Sequence, residues 1–274
     1  MRRRSALASV AALACFSAAG PAVAKEEGKD RYDKLQPYGA VFELRPVANT
    51  GSRAAPGLKG MRMTSEWRMS CKESEYIVTT TMSVAGRGGH TVAITSETKA
   101  TESHDGRSFR LISRMIDDGR DIRRHESRAT LDTPDGPGEG LVTRGAPERT
   151  KLPRGTVLPG THFMRALAAA AAGKIETRHR VYAGEDDIRL AEYTSTVLGA
   201  GTSASDPALG EFADKPGWIV RDVVQGVGVR GPARTMEYFV TRDGVMTSMK
   251  MTLQGIDLVG KAVKIEKLPK PSCP

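Results

Sequence analysis

The sequence predicts a mainly β fold: a meander of long antiparallel strands interrupted by one short helix. Three observations predict it. Apolar and polar residues alternate with a period of two, Asp-Gly pairs fall between the alternating runs, and a single stretch carries helical spacing with a start and a stop.

Residues 1–24 read as an export signal that is absent from the mature protein. Arg2, Arg3 and Arg4 form a basic head, Ala6 to Ala19 an apolar run, and Ala22-Val23-Ala24 a cleavage site before Lys25. The apolar run is too short to span a bilayer. Ala12-Leu13-Ala14-Cys15 is a degenerate lipobox without the usual Leu, so lipidation at Cys15 is the lesser reading. Removal of three arginines lowers the net charge from +9 to +6. Basic and acidic residues are interspersed and aromatics are few, which argues against nucleic-acid binding.

Residues 25–37 are a polar lead-in, and Tyr38–Pro46 is the first strand. Ala48–Gly60 reads as a loop. From Met61 to Cys71, Met61, Met63, Trp67, Met69 and Cys71 fall on one face and Arg62, Thr64, Glu66, Arg68 and Ser70 on the other. Such a Trp-Met stripe serves as core or as a pocket wall.

Strands are expected next at 76–84, 91–103, 107–117 and 120–131, separated by Gly86–Gly89, Asp105-Gly106 and Asp118-Gly119. The run Arg120–Glu126 is polar on both faces, which suits a sheet edge or a wet concavity. A turn at Thr133–Gly140 and one short strand lead to Leu152–Leu167 (LPRGTVLPGTHFMRAL), which opens the helix. Thr161 is its expected cap and Gly173 its stop, with Phe163, Leu167 and Ala170 on one face. Strands at 175–182, 189–198, 218–225, 235–242, 245–253 and 258–268 complete the chain, with a loop at Ala200–Pro216 and a turn at Asp243-Gly244. No linker or repeat divides the chain, so residues 25–274 are expected to form one domain.

Known catalytic and cofactor patterns are missing or out of place. Gly226-Val227-Gly228-Val229-Arg230-Gly231 has dinucleotide-loop spacing, but Pro232 and a strand come after it where a helix is needed. The five histidines show no metal spacing, and no GxSxG elbow is present. Asp186-Asp187 reads as a solvated turn. His162, beside the helix start, reads as an anion ligand or base, or more plainly as a partly exposed first-turn residue. These observations favour a non-enzyme with no cofactor and no metal.

Two cysteines, Cys71 and Cys273, remain after export. An even pair outside the cytoplasm should oxidise, closing a loop of about 200 residues and latching the C-terminus to an early strand.

Several blocks together resemble the EipB-like family of periplasmic cell-envelope integrity proteins, long treated as a domain of unknown function. They are LPRGTVLPGTHFMRAL, the tail Glu237–Cys273 with its closing Leu268-Pro269-x-Pro271-x-Cys273, Tyr38–Leu44, and Trp67 with Cys71. The resemblance implies a single antiparallel sheet coiled into an open, spiral-like barrel, with helical segments against its concave side. It also implies a Cys71–Cys273 disulfide and no enzymatic activity. The implied partner is a periplasmic envelope protein, in some members one built of tetratricopeptide repeats. The alternative is a carrier with a lipid or other apolar ligand in the barrel, lined by Trp67, Met69, Phe163, Leu167, Met246, Met249 and Met251.

Overall fold

The structure is a computed structural model that describes residues 32–47, 58–85, 90–117, 119–185, 188–229, 233–253 and 256–273. The export signal, Cys15, the Gly86–Gly89 turn, Asp186-Asp187 and Arg230-Gly231 lie outside the described residues.

The first eight strands are β1 (Tyr38–Pro46), β2 (Leu58–Met69), β3 (Glu73–Ala85), β4 (Thr91–Ser103), β5 (Ser108–Asp117), β6 (Arg120–Leu131), β7 (Gly138–Thr143) and β8 (Pro147–Leu152). After β9 (Thr156–Val157) comes the helix α1 (Pro159–Ala171). The chain continues with β10 (Glu176–Tyr182), β11 (Leu190–Thr202), a 3-10 segment (Pro207–Phe212), β12 (Pro216–Gly226), β13 (Arg234–Thr241), β14 (Met246–Leu253) and β15 (Ile256–Lys267).

All fifteen strands join one sheet, in the order β8-β7-β6-β5-β4-β3-β2-β1-β15-β14-β13-β12-β11-β10-β9. Sequence neighbours are sheet neighbours everywhere except β8 and β9, and the one long-range pairing joins the first strand to the last. Tyr38 faces Lys267 and Pro46 faces Leu258 in that central β1–β15 pair. The two free edges, β8 and β9, are linked by the turn Pro153–Gly155, so the sheet curls until its ends nearly meet. The mainly β, coiled-barrel expectation holds.

Where backbone bonding stops, side chains take over. Phe109, Leu111, Ala129, Leu131, Leu152, Leu158 and Tyr182 form one buried cluster that spans the gap. Tyr182 reaches across from β10, and its hydroxyl lies 2.9 Å from Ser127 Oγ on β6. A Cβ on Gly140 would come within 2.4 Å of the Tyr182 ring, so the bare backbone of β7 is what admits it. The larger cluster lies at the centre, where Phe42, Leu44, Val240, Met249, Leu258 and Ala262 pack inside the curl with Met164 and Leu167 of α1.

The helix corrects one expectation. Its N-cap is Leu158, which offers no side-chain bond, and Thr161 sits inside the first turn. The carboxylate of Glu102 on β4 caps the turn instead, accepting bonds from the amides of Gly160 (2.6 Å) and Thr161 (2.7 Å) and from Thr161 Oγ1 (2.7 Å). Gly173 stops the helix as expected, with φ of 74°. Its amide bonds Ala170 O and that of Lys174 bonds Ala169 O, the paired closure of a Schellman motif.

Two further readings change, and a third holds. Two strands, β7 and β8, stand where the sequence suggested one. Residues 200–216 are not all loop, because β11 runs on to Thr202 past a bulge at Val197/Gly199 and a 3-10 segment comes after it. The Arg120–Glu126 run keeps the edge character read from sequence: β5 pairs it throughout, but β7 joins β6 only from Glu126 onward, so Arg120–His125 has one open side. On β6, Arg124 and Arg128 alternate with His125 and Ser127, and they meet Glu126 in exposed ion pairs. Exposed pairs of this kind stabilise little.

Candidate functional site

Pleating sends every second side chain of the curled sheet inward, so one face of the sequence pattern becomes a concave lining. Cross-strand register then builds the site row by row. Tyr38, Trp67, Tyr76 and Ala100 are direct partners across β1, β2, β3 and β4. One step along, Ser74, Glu102 and Phe109 are partners across β3, β4 and β5.

These two rows wall a cavity of about 260 Å³, closed opposite by Phe163 and Met164 of α1 and by Met236 and Met246. Six aromatic side chains line it: Tyr32, Tyr38, Trp67, Tyr76, Phe109 and Phe163. The chain holds only 14 Phe, Tyr and Trp residues, so this concentration marks the cavity off from ordinary core. Tyr76 keeps 38% of its surface accessible although it points inward. Its hydroxyl is nonetheless surrounded by protein and burial pushes it up to about 12, so the accessible part of the ring faces the cavity. Glu102 is the lining's one carboxylate. Burial pushes it up to about 7, against the pull of Thr161 Oγ1 and the two amides.

Beside the cavity a chain of polar groups runs beneath the helix. His162 Nδ1 lies 2.9 Å from His179 Nδ1 on β10, and its Nε2 lies 3.2 Å from Ser195 Oγ on β11. Ser195 stands directly opposite Asp222 of β12 in the sheet register, and Asp222 accepts the Tyr238 hydroxyl of β13 at 3.2 Å. Burial, helped by His179 and Arg165, drives His162 down to about 3, so the imidazole is neutral. Burial also raises the Asp222 carboxyl. His162 is therefore a buried link, which corrects the reading of it as a partly exposed residue.

Farther along the meander the lining turns polar. Ser96, Thr98, Ser113, Arg123 and His125, with Leu111, Met115 and Glu185, surround a second hollow of about 200 Å³. A third, of about 370 Å³, lies between residues 202–209 and strands β12–β15. A serine beside a histidine suggests a nucleophile, but Ser195 is only 3% exposed and lines none of these three spaces. Among the described residues no group of three or more His, Cys, Asp and Glu side chains is placed to hold a metal.

The residues singled out from sequence divide among these places. Trp67 and Phe163 line the aromatic cavity, as does Met246, while Met69 and Leu167 do not. Met249 lines the third hollow instead. Cys71 and Cys273 are bonded, with Cα atoms 5.5 Å apart. Sequence reasoning missed Glu102, Tyr76 and Ser195. Tyr76 carried the one usable signal, an aromatic at the start of a strand paired with that of Trp67; the other two depend on contacts far along the chain.

The disulfide is the chemistry of an oxidising compartment, the kind exported proteins meet. No helix among the described residues is long and apolar enough to cross a membrane. No curated protein is similar to the chain at a significant level. Among solved structures, the chain is similar to the crystal structure of a β-barrel-like protein of domain of unknown function DUF1849 from Brucella abortus. The TM-score is 0.75 and the identity 21%, over 86% of this chain and 99% of that one, a likeness of fold. The EipB-like family pattern matches residues 29–269, most of the chain. Family pattern, coiled sheet and terminal latch agree: the chain belongs to the EipB-like family.

Proposed function

We propose that this chain is a non-catalytic periplasmic protein that maintains the integrity of the cell envelope by binding an envelope protein partner, of which a tetratricopeptide-repeat protein is one expected form. The observation that carries this reading is the oxidised Cys71–Cys273 latch on a chain of this family. It supports export, and it supports a shell built to persist outside the cytoplasm without chaperoning. The lone buried Ser195–His162 contact supports the absence of catalysis, since a nucleophile needs access to its substrate. The test is crosslinking in intact cells, followed by recovery of the tagged protein, together with deletion of the gene. A specific envelope protein and new sensitivity to detergent are expected. Recovery of nothing specific with unchanged detergent resistance would overturn the proposal.

A second reading, a carrier of an apolar ligand, is favoured by the aromatic cavity beneath α1. Native mass spectrometry of protein purified from periplasm should then show a bound species. A mass equal to that of the bare chain in fresh preparations would remove this reading.

A further inference from the structure

We propose that the aromatic cavity binds a methylated ammonium group, held against the rings of Tyr38, Trp67 and Tyr76 with the Glu102 carboxylate as its counter-charge. The inference deepens the carrier reading and rests on the cavity being a ligand site.

Three observations carry it. First, Tyr38, Trp67 and Tyr76 stand side by side on adjacent strands in direct register and on one face, and Phe163 closes the opposite side. Rings grouped around a cavity attract cations electrostatically through their negative faces, and methylated ammonium ions shed water readily enough to enter. Second, the charges along the wall have one sign. Among the described residues no Lys, Arg or His lines the cavity, and Glu102 is the only carboxylate. The half-charge of the α1 N-terminus opposes a cation; Glu102, bonded to that same terminus and raised to about 7, outweighs it once ionised, so the cation is held most firmly above that pH. Third, size and exposure fit a small group. About 260 Å³ is at the small end of ligand pockets, and Tyr76 leaves more than a third of its surface accessible from inside. Met164, Met236 and Met246 complete the wall with flexible, polarisable side chains that adapt to methyl groups.

An apolar cavity alone would prefer the neutral ligand to a cation of the same shape, because the cation loses its hydration without compensation, so the test compares the two. The mature protein with its disulfide intact is titrated calorimetrically with tetramethylammonium, with its tailed relative dodecyltrimethylammonium below micellar concentration, and with neutral 3,3-dimethylbutanol. The cations are expected to bind about tenfold more tightly than the neutral isostere. Tyr76→Leu is expected to lose that preference while keeping the neutral affinity, and Tyr76→Phe to retain it. A tailed cation that binds tighter than the tail-less one identifies a lipid-like source, and equal binding identifies a small free cation. Equal or higher affinity for the neutral isostere than for the cations in the unmodified protein overturns the inference while leaving the carrier reading standing. Binding of none of the three overturns both. The comparison in the unmodified protein decides the matter even if Tyr76→Leu fails to fold.

Discussion

The centre of the sheet and the β3–β6 meander are made of the same material, long antiparallel strands with inward and outward sides, yet they bury their inner faces very differently. Around the β1–β15 seam the inward residues Phe42, Leu44, Val240 and Leu258 are almost wholly shielded. On β3 and β4 the residues between Ile77 and Val84, and between Ile94 and Lys99, are mostly half-buried on both faces. The difference lies in what covers them. Helix α1 and the segment from Tyr32 to Leu35 pack into the curl at the seam, whereas much of the meander's inner face fronts a polar hollow. A strand pattern therefore sets which side chains point inward, and coverage sets whether that inside is core or cavity.

The largest effect that tests this contrast is loss of the latch. Cys71 lies just past β2 and Cys273 just past β15, so the bond ties down both neighbours of β1. Cys71→Ser with Cys273→Ser should cost up to roughly 5 kcal/mol, the chain-entropy limit for so long a loop. Urea denaturation with and without reductant measures it. A midpoint that does not move would mean that seam packing alone holds the ends together.

A smaller effect compares the two regions directly. Leu258→Ala at the seam should cost about 2–5 kcal/mol, because the covered site cannot collapse around the lost methyls. Ser113→Ala on the meander should change stability by less than about 1 kcal/mol, since its hydroxyl gives up one modest bond to Thr98. Equal losses at the two positions would break the contrast.

Effects of a different kind are expected where the helix meets the sheet, because they appear only as pH changes. Glu102 is raised from 4.5 to about 7 in the folded protein. A carboxyl raised this way binds extra protons when folded, so its contribution is full below pH 4.5 and is lost as pH rises through 7. His162 runs the other way: lowered from 6.5 to about 3, its contribution is full above pH 6.5 and is lost as pH falls through 3. The full excursions correspond to roughly 3 kcal/mol for Glu102 and roughly 5 kcal/mol for His162 as upper limits. Glu102→Gln should flatten the loss between pH 4.5 and 7, and His162→Gln the loss between pH 6.5 and 3. Unaltered stability profiles in both variants would mean that neither group is as enclosed as its packing indicates.

Much of this architecture was legible in the chain. The alternation from Met61 to Met69 gave the inward stripe of β2, and the Asp-Gly pairs gave hairpins whose glycines Gly106, Gly119 and Gly244 adopt positive φ. Gly173 gave the helix stop. The site was less legible. Trp67 and Phe163 were found because large aromatics on a patterned face stand out, but Met69 and Met249 share that pattern and lie elsewhere. Glu102 had no local signal at all, being 58 residues from the amide it caps.

The sequence by itself determined the local terms: strand periodicity, turn chemistry, the helix α1 and a cysteine pair fit to oxidise, all but the last of which depend on residues a few positions apart. The resemblance to a family supplied the expectation of a coil. Only the tertiary structure decided where the sheet closes, which inward residues are covered, and which carboxylate meets the helix. The physical reason is that burial and the ionisation of Glu102 and His162 depend on which distant strands the curl brings within a few ångströms, and short-range pattern does not encode that distance.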